Sequence, residues 1–338
     1  MKKIIYMMMA AALLAACDNP LEYKPADKED TLVLNAFLDA GELQHEVSLS
    51  VSGTEFVRKV KEAELRCFVN GTKVATVTKF EESEEYGNLF RSKMHFDAAL
   101  KTGDVVRIEV DAEGRFSAWN EQTVPEQPDL VSVDTATVVR HNDYYDDYYY
   151  RFESKLNDGG SEEEFYRITI SAITKNYFYD QDHNYISSSS GEHECWLEID
   201  NDPILNEGYI AGGDNTLDLG LGTQNNYTAF SDSQFNGKTA NLRPMVGTYY
   251  IFSINEYPDN TKYITTEAQA KVRIQKFSKP YYLYLKALNT LQDGELDLAL
   301  EGVQIPDNVE GGIGFVALSN SKDITMDLGQ KEYELVYY

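Results

Sequence analysis

Ala63-Glu64-Leu65-Arg66-Cys67-Phe68-Val69, then Asn70-Gly71, then Lys73-Val74-Ala75-Thr76-Val77-Thr78: two alternating runs flank an Asn-Gly pair. Alternation with period two puts every second side chain on one face of a strand. Asn and Gly both tolerate the positive φ of a tight type I′ turn, so the stretch reads as a β-hairpin. The same pattern continues outward. Residues 32–37 and 45–51 form an opening strand pair, and 105–110 closes on Asp111-Ala112-Glu113-Gly114. Turn signals recur about every ten residues, which points to a small antiparallel sandwich of immunoglobulin-like type over residues 31–125. The Cys, Trp and Cys core of antibody domains is absent, so this topology rests on spacing alone.

Pro125-Glu126-Gln127-Pro128 interrupts pairing and stiffens the chain, as a domain junction does. Beyond it, residues 131–139, 148–156, 165–173, 195–199, 246–255, 270–277, 313–318 and 332–338 carry the β-branched and aromatic residues of strands. Residues 126–338 are therefore expected to form a larger β domain. One segment has helical period instead. Ser278 can cap, Pro280 suits a first turn, Gly294 can terminate, and Tyr281, Tyr284, Leu285, Leu288 and Leu291 share one face. The expectation is an all-β chain of two domains with one main helix near 279–292.

The N-terminus begins Lys2-Lys3, continues apolar from Ile4 to Leu14, and ends in Leu14-Ala15-Ala16-Cys17. This is the order of a secretory signal closed by a lipobox, with 1–16 the signal peptide and Cys17 the lipidation site. The apolar run falls short of the roughly 20 residues that span a bilayer. Several acyl chains on Cys17 hold a membrane far more firmly than one. Residues 17–30, with Pro20 and Pro25, read as a tether. Loss of Lys2 and Lys3 takes the formal charge from −26 to −28, which repels nucleic acid. Cys67 and Cys195 lie far apart in sequence and are expected to be buried and unpaired.

The candidate contact residues are tyrosines among acids. Tyr144, Tyr145, Tyr148 and Tyr149 stand in the run 141–150, and Tyr177 and Tyr179 near Tyr185. Flat rings with hydroxyls suit sugar rings and peptides, and neighbouring carboxylates accept hydroxyl hydrogens. Asp180-Gln181-Asp182-His183-Asn184 is dense in oxygen but lacks the glycine, glutamate and helices of a calcium loop, so it reads as a turn. Glu192-His193-Glu194-Cys195 has no further ligands nearby to complete a zinc site. His45, His95, His141, His183 and His193 stand in no recognisable nucleophile context. No metal, cofactor or enzyme activity is expected. Gly311, Gly312 and Gly314 precede a strand rather than a helix, which favours a tight strand entry over a phosphate cradle.

Four places in order resemble one family: residues 32–50, 230–238 with Asp232, Phe235 and Gly237, the helix at 279–291, and 308–315 with its three glycines. Together they are similar to the domain of unknown function 4249 family, outer-membrane lipoproteins of Bacteroides-like bacteria. The stretch between Gly294 and Asn308 is short for that family. The resemblance implies an outer-membrane, outward-facing accessory of a TonB-dependent transporter, with no enzyme activity. A structural subunit of an outer-membrane complex without a small ligand, and a surface hydrolase, stand as alternatives.

Overall fold

A computed structural model describes residues 29–53, 56–81, 90–141, 146–160, 162–206, 225–254, 256–292 and 305–335. The leader, Cys17, the tether to residue 28, Tyr144, Tyr145, Gly294 with most of the stretch to Asn308, and the last three residues of the expected final strand lie outside these. The strands of the first half are β1 (Thr31–Asp39), β2 (Gln44–Ser52), β3 (Val57–Arg58), β4 (Ala63–Val69), β5 (Thr72–Val77), β6 (Ser92–Asp97), β7 (Val105–Ala112) and β8 (Phe116–Thr123). Then come β9 (Asp129–His141), β10 (Asp146–Asn157), β11 (Phe165–Tyr179), β12 (Tyr185–Glu194), β13 (Ala229–Ser231), β14 (Thr239–Leu242), β15 (Met245–Gly247), helix α1 (Thr248–Ile251), β16 (Tyr263–Phe277), helix α2 (Lys279–Gln292) and β17 (Val316–Glu334). Strand is 58% and helix 7%, so the chain is mostly β.

One nine-stranded sheet organises the molecule, in the order β12-β11-β16-β17-β1-β2-β3, with β13 on β11 and β6 on β2. Two four-stranded sheets, β5-β4-β7-β8 and β14-β10-β15 with β9 on β10, lie against it. Alternation shows how. Leu32, Leu34, Ala36 and Leu38 of β1 join Leu65, Cys67, Ile108 and Val110 in one core, and Ile168, Ile170, Val272 and Ile274 join Phe152, Leu156 and Leu242 in another. On β17 the even positions serve both cores, Val316 and Leu318 the first and Ile324, Met326 and Leu328 the second. Both small sheets therefore cover the same face, side by side. The odd positions Phe315 and Ala317 turn the other way, to Tyr281 and Leu285 of α2. The junction at 125–128 separates the two covering sheets, while the large sheet runs across it.

The expected hairpin forms, with Asn70 at φ 51° and Gly71 at φ 76° and Cys67 opposite Ala75. Both cysteines are free and buried, and burial pushes their thiols up to about 12 for Cys67 and about 11 for Cys195. Several sequence expectations need correction. Residues 195–199 keep alternating burial, yet form only one bridge among the described residues, Glu198 to Met245, because β15 is three residues long and offers no more ladder. Residues 246–255 leave β15 at Gly247 and turn into α1, which buries Ile251 and Phe252. The two late runs are parts of one strand, β17, whose middle is polar because its outward side meets solvent. On α2 the buried face ends in Asn289 rather than Leu291, which is 40% exposed; Asn289 Nδ2 donates to Asn225 at 3.1 Å.

The chain ends meet at a seam. Ala36 to Asp39 of β1 pair in parallel with Val316 to Ser319 of β17. The glycine turn delivers β17 there: a Cβ on Gly311 would lie 2.3 Å from the Ser117 carbonyl oxygen, and one on Gly314 2.3 Å from that of Leu34. Their φ values of 77° and 124° also exclude most side chains. Asn308 bonds both the N–H and the carbonyl of Val316, at 2.8 and 2.7 Å. At the far end of the pairing the buried Asp39 carboxylate accepts from Gly41, Ser319, Ser321 and Gln275 at 2.7 to 2.8 Å. Burial alone would raise its pKa; these four donors outweigh it and lower the value.

A second lock joins β10, β11, β16 and the turn after β13. Phe235 N–H donates to the Asp232 carbonyl at 2.7 Å, and Gly237, at φ 68°, donates to Asp158 Oδ2 at 2.5 Å. Tyr166 donates to Glu164 and lies 3.2 Å from Asp158 Oδ1, while Lys276 Nζ is 2.5 Å from Glu164. Burial raises the pKa of Asp158, and its hydrogen bond to Glu164 raises it further; for Glu164 burial is outweighed by Lys276 and Tyr166, and the value falls. The two shifts run in opposite directions, so of the pair Asp158 is the one that favours the proton. Asp232 is fully buried beside them, and burial raises its pKa as well.

Gly314→Ala combines strain with a backbone clash and should cost about 2 kcal/mol or more, whereas Gly71→Ala, at positive φ in open space, should cost about 1; equal urea midpoints for the two would refute the seam's role. A raised carboxyl pKa stabilises the fold fully below the unfolded value and progressively less as pH rises through the folded one. Asp158→Asn keeps a donor toward Glu164 and cannot lose a proton. The stability difference should therefore move in the variant's favour from pH 4 to pH 8, and parallel urea-unfolding profiles would exclude a proton held on Asp158.

Candidate functional site

The two small sheets occupy one face of the large sheet and, among the described residues, α2 covers only the middle of the other, which leaves the far ends of β11, β12, β16 and β17 uncovered by described residues on that second face. Register dictates what stands there. Tyr179 pairs with Tyr263 on one side and Tyr185 on the other, and Tyr263 pairs with Glu334. Directly paired residues share a face, so Tyr185, Tyr179 and Tyr263 form a row across three strands. The next row holds Glu332, Thr265 and Tyr177, and the next Gln330, Glu267 and Lys175.

The row is preorganised by its own contacts. His183, at φ 59° in the β11–β12 turn, lies flat on Tyr263 with centroids 4.0 Å apart and planes at 12°. Asp180 fixes that turn by accepting from the N–H groups of Asp182 and Asn184 at 2.8 and 2.9 Å, and its bonds to Asn184 and Asp182 lower its pKa. Tyr179 and Tyr185 meet edge to face at 6.2 Å. Tyr177 donates to Glu267 at 3.1 Å under the Lys175 ammonium, 4.8 Å from the ring. Glu334 is held by Lys262 at 3.1 Å. A cleft of about 540 Å³ lies among Tyr179, His183, Tyr263, Thr265, Glu332 and Glu334. A second, of about 510 Å³, continues past Lys175, Glu267 and Gln330. Ring faces, hydroxyls and carboxylates along a shallow cleft are suited to hold a flat or extended polar molecule.

Of the expected contact residues, Tyr177 and Tyr179 belong to this shelf. Tyr148 is exposed on a different sheet. Tyr149 is corrected: it is buried at 7%, with the Arg140 guanidinium 4.8 Å over its ring, and burial with its bond to Glu198 raises its hydroxyl pKa. Parity places Tyr149 on the face opposite Phe152, Ser154 and Leu156, and there Arg140 lies over its ring and Glu198 bonds its hydroxyl, so it is buried from the other side. The structure does not bring Tyr148 or Tyr149 together with Tyr177 and Tyr179. Sequence reading missed Tyr263 and His183. Tyr263 opens an alternating run that the expected strand began seven residues too late.

Other clusters resolve into structural contacts. Glu192 pairs with Lys271, Glu194 with Arg167 at 3.0 Å, and His193 Nε2 lies 2.7 Å from the Tyr250 carbonyl. His45 Nε2 meets the Ala98 carbonyl at 2.9 Å, and His141 meets Asp146 at 2.7 Å. His95 lies 3.3 Å from Glu81 and 3.9 Å from Glu46, a three-ligand grouping in which Lys93 already holds Glu46 at 2.9 Å.

No curated protein matches the chain. Among solved structures, a Bacteroides uniformis β-glucuronidase aligns at 8% identity and TM-score 0.16, over 84% of this chain and 26% of that one. The B. uniformis β-glucuronidase 2 covalently bound to cyclophellitol-6-carboxylate aziridine aligns at 7% and 0.16, over the same shares. The chain spans about a quarter of the length of these enzymes, and at that score neither fold nor activity carries across. The family comparison is of another order. Residues 18–325 match the model described as Domain of unknown function (DUF4249), a span that opens directly behind Cys17 and takes in both covering sheets, the turn at Asp232, α2 and the glycine turn. The chain therefore belongs to the domain of unknown function 4249 family.

Proposed function

We propose that the protein is a non-catalytic lipoprotein of the outer membrane, facing outward, which captures a glycan or peptide on the tyrosine shelf for a TonB-dependent transporter. The observation that carries this reading is the row Tyr185, Tyr179 and Tyr263 with His183 stacked on it, an aromatic surface built by register and left open to solvent. The lipobox at Cys17 supports the anchor, and the family resemblance supports the transporter. In the same reading residues 31–125 are an immunoglobulin-like sandwich, supported by β1, β2 and β6 facing β5-β4-β7-β8 across one apolar core. That sandwich is the first of two domains and lends its opening strand to the sheet of the second.

Tyr179→Ala with Tyr185→Ala removes two shelf rings without touching either core. On glycan and peptide arrays, followed by titration, the double variant should bind the selected ligand about 10-fold or more weakly, equivalent to ~1.4 kcal/mol. Unchanged affinity removes the shelf as the capture surface. Cys17→Ala should shift the protein out of the membrane fraction, and undiminished retention there defeats the lipid anchor.

A further inference from the structure

The tether enters the fold at one definite end. Thr31 pairs with Ser52, and Ser52 pairs in turn with Val57. Asp30, the residue just before β1, is clamped from two sides: Arg115 lies 2.6 Å from its carboxylate and Arg58 3.6 Å. Arg58 is itself fixed to Glu113 at 2.7 Å, and that pairing draws the Glu113 carboxyl down to about 2.

Beside this clamp stand three large apolar side chains in water. Phe56 is 65% exposed, Val57 42% and Phe90 57%. Phe56 sits on the turn that returns to Gly53, whose N–H donates to the Phe56 carbonyl at 3.2 Å. Phe90 leads into β6, whose Ser92 pairs with Leu49 and bonds the Val60 carbonyl at 3.0 Å, so it reaches the same end of the sheet. Around them Lys59 and Lys61 line shallow clefts with Phe80 between, Lys59 beside Arg91, Lys93 and Glu81, and Lys61 beside Glu62, Glu64, Asp111 and Glu113, and neither ammonium has an acidic partner within ion-pair distance among the described residues. Exposed apolar tips flanked by lysines suit an interface where rings enter the acyl boundary and ammonium groups meet phosphates.

We propose that this end of the sheet, led by Phe56, Val57 and Phe90, seats on the bilayer surface beside the lipid tether. The inference rests on lipidation of Cys17. The occupant is the bilayer because of where the chain leads: Cys17 lies twelve residues before Glu29, a reach of at most about 43 Å when fully extended, and it starts from the patch itself. An apolar patch so placed is held at the membrane whatever the rest of the molecule does.

The test uses full-length lipidated protein in vesicles of phosphatidylethanolamine with phosphatidylglycerol, with and without brominated acyl chains. Phe56→Trp places a reporter in the patch. Leu43→Trp places one at the opposite end of β2, at a site 60% exposed. Wild-type protein supplies the background from Trp119 and Trp196. The expected result is a blue-shifted, bromine-quenched indole in the Phe56→Trp variant and an unquenched one in the Leu43→Trp variant. Quenching of both, or of neither, overturns the docking, as does a blue shift that follows protein concentration without vesicles, which identifies a second copy on the patch. Intact mass separates the two failures. A mass without acyl chains removes the anchor and the docking together, whereas acyl chains present with the patch reporter unquenched leave the anchor standing and overturn the docking alone.

Discussion

The parallel pairing of four residues of β1 with four of β17 is the constraint on which the architecture depends. It joins positions about 280 apart in the chain, and without it the large sheet would fall into a β1–β2 half and a β11–β16–β17 half, each with one small covering sheet. Forming so distant a contact costs loop-closure entropy that four ladder residues do not offset alone. The supporting contacts explain how it persists. Two glycines let the backbone of the 308–315 turn lie against β1 and β8, Asn308 holds the start of β17, and the four-fold accepted Asp39 holds its continuation. Each is a buried polar or strained feature that would be costly in isolation, and each is satisfied only when the seam is closed.

That closure decides where function can sit. A sheet covered on one face by two smaller sheets, and on the other by a single helix, keeps part of one face in solvent. Strand length then does the rest. β11, β16 and β17 run 15, 15 and 19 residues, beyond the reach of α2, and what they carry outward past that point is tyrosine, threonine and carboxylate. The carboxyl lock around Asp158 and Glu164 is chemically richer, but its groups are committed to one another, to Lys276 and to the turn at Gly237. Carboxylates so committed stabilise a geometry; those on the shelf face outward.

Much of this was legible in the sequence wherever alternation was clean. The hairpin at Asn70-Gly71, the opening pair, β9, β10 and the helix at 279–292 follow from period and turn chemistry. What was not legible has physical reasons. Polar stretches of β17 alternate between an interior and water without a hydrophobic signature on the outer side. Residues 195–199 alternate in burial but share a single bridge with β15, because alternation reports a face and says nothing of how long a partner strand is. Tyr149 and Tyr148 are adjacent, and Tyr149 is the buried one because Arg140 and Glu198, brought in from other elements, cover its side of β10. Shelf membership was half visible: Tyr177 and Tyr179 stood out as aromatics among polar residues, but their union with Tyr263 is a register fact created by a partner strand some 85 residues away.

Strand direction sets the Asp30 clamp and the tyrosine shelf at opposite ends of the large sheet. β17 runs parallel to β1, so the level of Ser319 beside Asp39 is a common reference. From there β1 returns eight residues to Thr31, about 25 Å, toward the Asp30 clamp, while β17 advances fifteen residues to Glu334, about 50 Å, toward the shelf. Sheet twist shortens and rotates this span but does not reverse it. A body held at the Thr31 end therefore presents Tyr185, Tyr179 and Tyr263 at its distal end, away from the surface that holds it. The bulge at Gly329, at φ 82°, together with Lys322, Asp323, Asp327 and Lys331 along the open side of β17, discourages another strand from pairing there. The shelf then offers rings and carboxylates rather than a bare backbone edge.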